Sequence, residues 1–276
     1  MTNLAMKQAI QEVVVKMMDK VMERVLETDP FVADTHRANR PLYAALVPDE
    51  IFKGSHFERR FVTPFGGVWE KLAVVAAQEG LGLGIQGHTI RGNVGEERLR
   101  RIQEVLNKLE HPASGQVRTK PNWQTELDYI LAGGGEPIPV TVVCDVYAED
   151  VKNQKRFAFE VKAPLPNSDQ TKVSKEKLLK LYAMTPCPID GAYYALAYNP
   201  YGANRSDYSW GFPARWFDMT NDSAVLIGAE FWDKIGGVGT YAAFIEAINE
   251  IGQPYHERIY REFLGIEPPN RSRTTL

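Results

Sequence analysis

The chain has 276 residues, with 32 basic and 35 acidic side chains and a formal net charge of −3. Its 44% hydrophobic and 24% charged content is typical of an ordinary globular protein. No segment approaches the ~20 consecutive apolar residues of a membrane-spanning helix, and the charged N-terminal segment does not resemble a signal peptide. Two cysteines and five scattered histidines show neither zinc-binding spacing nor a disulfide framework, so we expect a protein of the reducing cytoplasm with no membrane partner.

The first half of the chain is predicted to be mainly helical, because apolar residues recur there every three or four positions. The first helix covers residues 4–27 and ends at Asp29-Pro30, since a residue before proline is unfavourable in a helix. A second helix begins after residues 64–67 and ends at Gly80, a residue type that favours helix C-termini. Two further helices are predicted over residues 95–109 and 123–131.

Strand patterns begin in the middle of the chain. Residues 140–147 and 156–162 are rich in β-branched and aromatic side chains, and the polar segment 149–154 joins them as a hairpin. A helix that Ser168 or Asp169 can cap follows. The remaining elements are a strand over residues 192–198, a loop over residues 199–212, a strand over residues 225–227 and a helix over residues 241–263. This order predicts an α/β fold in which a central mixed β-sheet is flanked by helices.

One segment of the chain is strongly basic. Residues 152–180 carry eight basic and three acidic side chains, so they hold a local excess of positive charge in a protein that is otherwise acidic. Such a concentration of positive charge favours binding of a polyanion. A solvent-exposed helix face has the same composition, and charge alone favours that simpler interpretation.

Residues 82–87, GLGIQG, match the dinucleotide-binding pattern G-x-G-x-x-G. That pattern binds a pyrophosphate only between a strand and the N-terminus of a helix. Here a predicted helix precedes the glycines, and residues 88–93 after them are a poor helix start. We therefore interpret the glycines as a tight turn into a short strand.

The strongest chemical signal is an Asp/Glu-x-Lys tripeptide on a predicted strand. Glu160 and Lys162 lie two residues apart and project from the same face, and Asp145 on the preceding strand can converge with them at one end of the sheet. Neighbouring carboxylates repel each other unless a cation lies between them, and their oxygens suit Mg²⁺. A cross-strand ion pair with an unrelated acid nearby is the alternative, and spacing alone leaves both interpretations open. A second copy, Asp150-x-Lys152, lies in the predicted turn and has no acidic partner on a preceding strand.

The order Asp145, Glu160-x-Lys162 and then a basic helix resembles the PD-(D/E)xK nuclease superfamily. The segment over residues 61–73, FVTPFGGVWEKLA, is similar to the N-terminal element of type II restriction endonucleases.

Two further segments strengthen this likeness, which is greatest to the TdeIII-like group. They are FEVKAPLPNSDQ over residues 159–170 and AYNPYG over residues 197–202. The resemblance covers most of the chain, between residues 55 and 239. It implies a restriction-endonuclease-like core over residues 55–276 and an N-terminal helical extension over residues 1–54.

The resemblance also implies roles for five residues. Asp145 and Glu160 would hold Mg²⁺, for which Mn²⁺ can substitute, together with the backbone carbonyl of Val161 and the helix residue Glu70. Lys162 would orient or deprotonate the attacking water and stabilise the charge that develops on the phosphorus centre. For Glu70, an exposed position on an amphipathic helix is the alternative. The implied chemistry is metal-dependent hydrolysis of a phosphodiester bond in DNA.

Sequence-specific recognition of DNA requires side chains that present hydrogen-bond donors to base edges. The loop over residues 201–208 has that composition and follows a strand that can lie near the catalytic end, although an ordinary surface loop would look the same. The candidates for base contacts are Asn204, Arg205, Asp207 and Arg215, and the candidates for phosphate contacts are Gln170, Lys172 and Lys175.

We expect a type II restriction endonuclease that cuts double-stranded DNA at a short, palindromic, GC-rich site. A homodimer is the simplest reader of a two-fold symmetric site. Apolar stripes near residues 4–26 and 241–263 can form the dimer surface, and core packing explains them equally well. The alternatives are another nuclease of the same superfamily, of the repair or phage type, and a DNA-binding protein that has lost catalysis.

Overall fold

The computed structural model describes residues 3–111 and 118–269. The chain divides into two compact units, which we name the central unit, Trp69–Tyr241, and the terminal unit, the described parts of Thr2–Val68 and Ala242–Leu276. The boundary predicted between residues 54 and 55 falls inside a long helix and stays a prediction. Within the described ranges, no helix combines the length and the apolar content needed to cross a membrane.

The described residues form nine α-helices and eight strands. The helices are α1 (Asn3–Glu23), α2 (Ala33–Asn39), α3 (Pro41–Ala44), α4 (Asp49–Gly80), α5 (Glu96–Glu110), α6 (Trp123–Leu131), α7 (Ser168–Ala183), α8 (Ala229–Gly236) and α9 (Thr240–Arg258). The strands are β1 (Gly82–Gln86), β2 (Thr89–Gly95), β3 (Pro137–Val143), β4 (Val146–Asp150), β5 (Lys155–Lys162), β6 (Met184–Thr185), β7 (Gly191–Leu196) and β8 (Val225–Ile227). Two π-helical turns, Arg24–Thr28 and Ile259–Leu264, follow α1 and α9.

The terminal unit is helical. The apolar stripe of α1 is buried, and so is that of α9; their buried members include Ile10, Val14, Val21, Phe244, Ala247 and Ile251. The hydroxyl of Tyr255 on α9 donates a hydrogen bond to the carboxylate of Asp19 at 2.6 Å and lies 3.2 Å from the carbonyl oxygen of Val15. The stripes near residues 4–26 and 241–263 are therefore used in packing within this unit, as the core interpretation expects.

Helix α4 begins earlier than the sequence predicted. It starts at Asp49 and runs through Pro64, which sequence analysis placed before the helix. Proline disfavours a helix interior because it lacks a backbone donor and its ring clashes with the preceding turn. The helix continues because its apolar face supplies packing on the far side of that residue, where Leu72, Ala73, Ala76 and Ala77 are completely buried. The predicted end at Gly80 is confirmed.

A five-stranded mixed sheet organises the described residues of the central unit, in the order β1-β4-β5-β7-β8. Strands β1, β4 and β5 are antiparallel neighbours, whereas β5, β7 and β8 are parallel. The parallel pair β5 and β7 is connected through α7, which packs against β7. This confirms the predicted α/β class with a central mixed sheet flanked by helices.

A second, three-stranded sheet (β3-β2-β6) corrects the predicted strand over residues 140–147. That segment is two strands: β3 pairs with β2 in the small sheet, and β4 pairs with β5 in the large one. Cys144 and Asp145 lie between them, outside both strands. The pattern of β-branched residues is continuous across this point, so it carried no signal of the change of sheet.

Smaller differences concern the cap of one helix and three helices that were not predicted. The cap of α7 is Asn167, whose side chain accepts a hydrogen bond from the backbone N–H of Gln170 at 2.8 Å, and neither Ser168 nor Asp169 fills that position. Helices α2, α3 and α8 were not predicted. The glycine pattern at residues 82–87 lies on β1 and in the turn after it, and strand β2 follows, so the helix N-terminus that a nucleotide site requires does not follow the pattern.

Candidate active site

Asp145, Glu160 and Lys162 come together at the end of β5. The ammonium Nζ of Lys162 lies 2.5 Å from Oδ2 of Asp145 and 3.4 Å from Oε2 of Glu160. The backbone N–H of Val161 also donates to Oδ2 of Asp145, at 3.0 Å. The predicted convergence of the three side chains is therefore confirmed, and their catalytic roles stay predictions.

The local backbone explains why these side chains meet. The register pairs Val146 with Phe159, so Asp145, the residue before β4, lies beside Glu160 on the neighbouring strand. The backbone carbonyl of Asp145 accepts the N–H of Gly87 at 2.9 Å, which fixes the chain at the crossing between the two sheets. Phe159 on the opposite face of β5 is completely buried and anchors the strand.

Two residues of α7 complete the site, and sequence analysis did not assign them to it. Nζ of Lys177 lies 2.9 and 3.0 Å from the two carboxylate oxygens of Glu160 and 3.8 Å from Oδ1 of Asp145. The hydroxyl of Ser174 donates to Oε2 of Glu160 at 3.3 Å. These two residues are three positions apart and share one helix face. Their spacing, on a helix that connects two parallel strands, was the available signal. We name Asp145, Glu160, Lys162 and Lys177 the carboxylate–lysine cluster.

Burial sets the electrostatics of the carboxylate–lysine cluster. The Glu160 side chain is only 1% exposed. Desolvation, followed by the neighbouring Asp145 carboxylate, raises the pKa of Glu160 above its usual range, although Lys162 and Lys177 oppose the shift. Burial alone would lower the pKa of Lys162, but the charges of Glu160 and Asp145 outweigh it and raise that pKa. Lys162 therefore stays an ammonium ion at neutral pH.

Glu70 lies on α4 and is half-buried, and its Oε2 accepts a hydrogen bond from the side chain of Gln86 at 2.8 Å. Gln86 pairs with Val146 across β1 and β4, and Asp145 is the residue before Val146. The hydrogen bond to Gln86 therefore places Glu70 near the end of the sheet where Asp145 lies. Among residues 3–111 and 118–269, however, no group of three or more acidic, histidine or cysteine side chains is arranged to hold a metal ion. The predicted metal contacts of Glu70 and of the Val161 carbonyl stay predictions.

The three predicted phosphate-binding residues on α7 have different environments. Lys175 is completely buried; its Nζ lies 2.5 Å from the Glu126 carboxylate and also donates to the carbonyl of Trp216. A buried ammonium cannot reach a DNA phosphate, so the predicted role of Lys175 is corrected to that of a core residue. Lys172 is partly exposed, pairs with Glu110 and stays a candidate. Gln170 is exposed and also stays one.

The predicted base-reading loop is held by its own arginine. Nε and Nη2 of Arg205 donate to the carbonyls of Met219 and Asp222, at 2.6 and 2.5 Å. Its guanidinium is thereby committed to the protein, and the structure gives Arg205 a loop-holding position that does not support direct contact with a base. Asn204 and Asp207 are exposed; Asn204 precedes the short 3₁₀ turn Arg205–Asp207, and the carboxylate of Asp207 accepts the backbone N–H of Asn204 at 2.9 Å. Arg215 is half-buried at the end of a second such turn and, like Asn204 and Asp207, stays a candidate.

Comparison with known proteins finds one matching family and three similar proteins, all of them type II restriction enzymes. The family "Type II restriction endonuclease, HinfI" matches residues 6–252 of the chain. The type II restriction enzyme HgiCII of Herpetosiphon aurantiacus is 30% identical over 228 residues, which cover 82% of this chain and 82% of that enzyme. The type II restriction enzymes HgiBI and HgiEI of the same organism are each 27% identical over 235 residues, which cover 82% of this chain and 81% of each enzyme.

The mixed sheet, with two carboxylates and two lysines gathered at the end of its middle strand, defines an α/β protein with an ionisable site beside its central sheet. The match spans the whole of that site and most of the chain, so the protein belongs to the HinfI family of type II restriction endonucleases. The enzyme class expected from the sequence, a site-specific deoxyribonuclease, is thereby confirmed.

Proposed function

We propose that this chain is a Mg²⁺-dependent endonuclease of the PD-(D/E)xK type. The observation that carries the proposal is the position of Nζ of Lys162, within 2.5 Å of Asp145 and 3.4 Å of Glu160. One ammonium group contacts both carboxylates, so their oxygens converge on a shared volume that a small cation can occupy. The likeness to the TdeIII-like group is part of the same proposal, and the family that matches the chain is HinfI.

The chemistry of the donor set fits a hard divalent cation. Asp145 and Glu160 supply carboxylate oxygens, which Mg²⁺ and Mn²⁺ prefer over nitrogen or sulfur. Glu160 is 1% exposed, and an ionised carboxylate with so little solvent requires positive charge beside it. The two carboxylates, the carbonyl of Val161 and, through water, Glu70 are the residues that would hold the ion.

The residues of the site then have separate tasks in phosphodiester hydrolysis. When bound, Mg²⁺ supplies Lewis-acid activation of the scissile phosphate and of the attacking water. Lys162 orients that water and stabilises the negative charge that develops during attack. Asp145 holds Lys162 in place by its 2.5 Å contact, and the buried carboxylate of Glu160 remains fixed because its surroundings leave it little freedom.

The DNA contacts follow from the same placement. We propose that Gln170 and Lys172 on α7 contact phosphates, and that Asn204, Asp207 and Arg215 approach base edges. The substrate is double-stranded DNA with a short, palindromic, GC-rich site, which a homodimer reads with one protomer on each half. The exposure of the loop that carries Asn204 and Asp207 supports the proposed base contacts. The proposed homodimer rests on the two-fold symmetry of a palindromic site.

The test is incubation of the purified protein with unmethylated phage or plasmid DNA in Mg²⁺, followed by sequencing of the fragment ends. We expect discrete fragments with one end sequence. Asp145→Ala and Lys162→Ala should bind duplex DNA without cutting it. The matched control is Lys152→Ala, from the second Asp-x-Lys tripeptide in the hairpin turn, which should cut like the parent.

Three results would decide against parts of this proposal. Wild-type cleavage rates from Lys162→Ala would remove the assigned role of that lysine. Cleavage without discrete ends would favour a structure-selective nuclease of the same superfamily. Duplex binding without any nicking in Mg²⁺ or Mn²⁺ would favour a DNA-binding protein that has lost catalysis.

A further inference from the structure

Lys177 makes more contacts with the two carboxylates than a bystander on a helix surface would. Its Nζ contacts both carboxylate oxygens of Glu160, at 2.9 and 3.0 Å, and lies 3.8 Å from Oδ1 of Asp145. Lys162 approaches Glu160 less closely, at 3.4 Å. The principal counter-ion of Glu160 is therefore Lys177, which neither the Glu160-x-Lys162 tripeptide nor the family match assigns.

These contacts place Lys177 in competition with a metal ion. A cation bound between Asp145 and Glu160 needs carboxylate oxygens that Lys177 already contacts, so the ion and the ammonium must share or exchange them. We propose that Lys177 is a positioning residue that holds the carboxylate of Glu160 in place and lowers the affinity of the site for divalent metal. The inference rests on the proposed function, because it assumes that these two carboxylates bind the metal.

The charge balance of the carboxylate–lysine cluster suits the charge of the reaction's transition state. Two carboxylates and two ammonium groups balance, so the carboxylate–lysine cluster is close to neutral as a set. A divalent ion added to this set leaves two positive charges in excess. A phosphodiester carries one negative charge and gains a second as hydroxide attacks, so the excess matches the transition state. Without Lys177 the same site would hold the metal more tightly and would be one positive charge short during the reaction.

Lys180, one turn further along α7, provides a matched control. Its side chain is 29% exposed and that of Lys177 is 28% exposed, so the two lysines have nearly the same access to solvent. Lys180 pairs with Glu176 on its own helix at 2.7 Å and not with the cluster. Replacing each lysine by methionine removes one ammonium group and keeps an unbranched side chain in a helix.

The experiment measures metal binding and cleavage separately. Isothermal titration of the DNA-free protein with Mn²⁺ should show that Lys177→Met binds the ion about tenfold more tightly, since a competing positive charge close to the site is removed. The same variant should show a kcat for DNA cleavage lowered by about tenfold to a hundredfold, because Glu160 loses its two shortest contacts. Lys177→Arg should restore Mn²⁺ affinity to within about threefold of the parent and recover part of kcat. Lys180→Met should match the parent in both measurements.

Each result has a definite meaning. Weaker Mn²⁺ binding by Lys177→Met, or a parent-like kcat, would overturn the inference and leave Lys177 as an ordinary structural residue. A lowered melting temperature that accompanies weaker binding would lead to the same conclusion. If the parent protein binds no Mn²⁺, or if Asp145→Ala binds it as well as the parent does, the proposed function itself fails. Parent-like metal binding and cleavage in both methionine variants would reject only the role of Lys177.

Discussion

Two lysines on α7, three residues apart, allow a sharp test of which helix face meets DNA. Lys175 is completely buried against Glu126, the carbonyl of Trp216 and the ring of Phe217, whose centroid lies 4.9 Å from Nζ. Lys172 is 29% exposed and pairs with Glu110 at the surface. We predict that Lys175→Met lowers stability and that Lys172→Met lowers DNA affinity.

The magnitude for Lys175→Met follows from what the substitution leaves behind. Removing one partner of a buried ion pair costs about 3–5 kcal/mol, because the other charge is left without compensation. Desolvation raises the pKa of Glu126, which can therefore take up a proton once the lysine is gone, so we expect the lower end of that range. A unit of this size loses about 2–4 °C of melting temperature per kcal/mol, so the melting temperature should fall by roughly 6–12 °C. The surface pair of Lys172 is worth about 0–1 kcal/mol.

The assay pairs thermal denaturation, followed by circular dichroism, with fluorescence anisotropy on a labelled duplex below the melting transition. Lys175→Met should melt early and, while folded, bind the duplex like the parent. Lys172→Met should melt like the parent and bind more weakly at low salt, with a smaller salt dependence. A stable Lys175→Met protein that binds DNA poorly would refute the assignment of Lys175 to the core.

Burial, and then the charge of Glu160, raise the pKa of Cys144 to about 12, so this thiol stays protonated at pH 8. Only the exposed Cys187 should therefore react with a thiol reagent in the native protein. Rapid reaction of two thiols per chain would contradict the structure. Gly84→Ala would place a Cβ 2.5 Å from the carbonyl oxygen of Val74 on α4, so it should lower the free energy of unfolding in urea by about 1–3 kcal/mol. Gly66→Ala, whose Cβ meets no described atom within 4 Å, should raise that free energy by about 0.5–1 kcal/mol. Equal effects of the two substitutions would argue against the contact at Gly84. Arg205→Ala should make its loop more susceptible to limited proteolysis, and unchanged digestion would show that the loop is held by other contacts.

The fold was largely accessible from the sequence where local patterns decide it. Helix α6 and strand β8 have the predicted bounds, and the β4–β5 hairpin follows from its polar turn. Local patterns failed where a distant partner decides. The division between β3 and β4 depends on which strands are available for pairing, since the residues on both sides have the same β-branched character. Pro64 is a second example, because an isolated proline is typical of a helix start whereas packing holds this one inside α4.

The residues of the candidate site differ in the same way: local patterns identify some of them, and distant partners decide the others. Asp145, Glu160 and Lys162 could be found because alternation along a strand fixes which side chains share a face. The three-residue spacing of Ser174 and Lys177 did not by itself separate Lys177 from its basic neighbours, since four lysines lie within nine residues and their burial depends on how α7 rotates over the sheet. Lys175 was assigned to DNA for the same reason: a charged residue is expected at the surface, and the carboxylate that keeps it in the core is distant in sequence.

The tight turn of the β4–β5 hairpin, with Gln154 in a left-handed conformation, has a practical consequence. Asp145 precedes the first residue of β4, whereas the turn follows the last, so a five-residue strand separates them by roughly 16 Å. The side chains of Val151 to Gln154 are exposed. A fluorophore or an affinity peptide attached at that tip would therefore report on the enzyme, or immobilise it, at the end of the sheet remote from the carboxylate–lysine cluster.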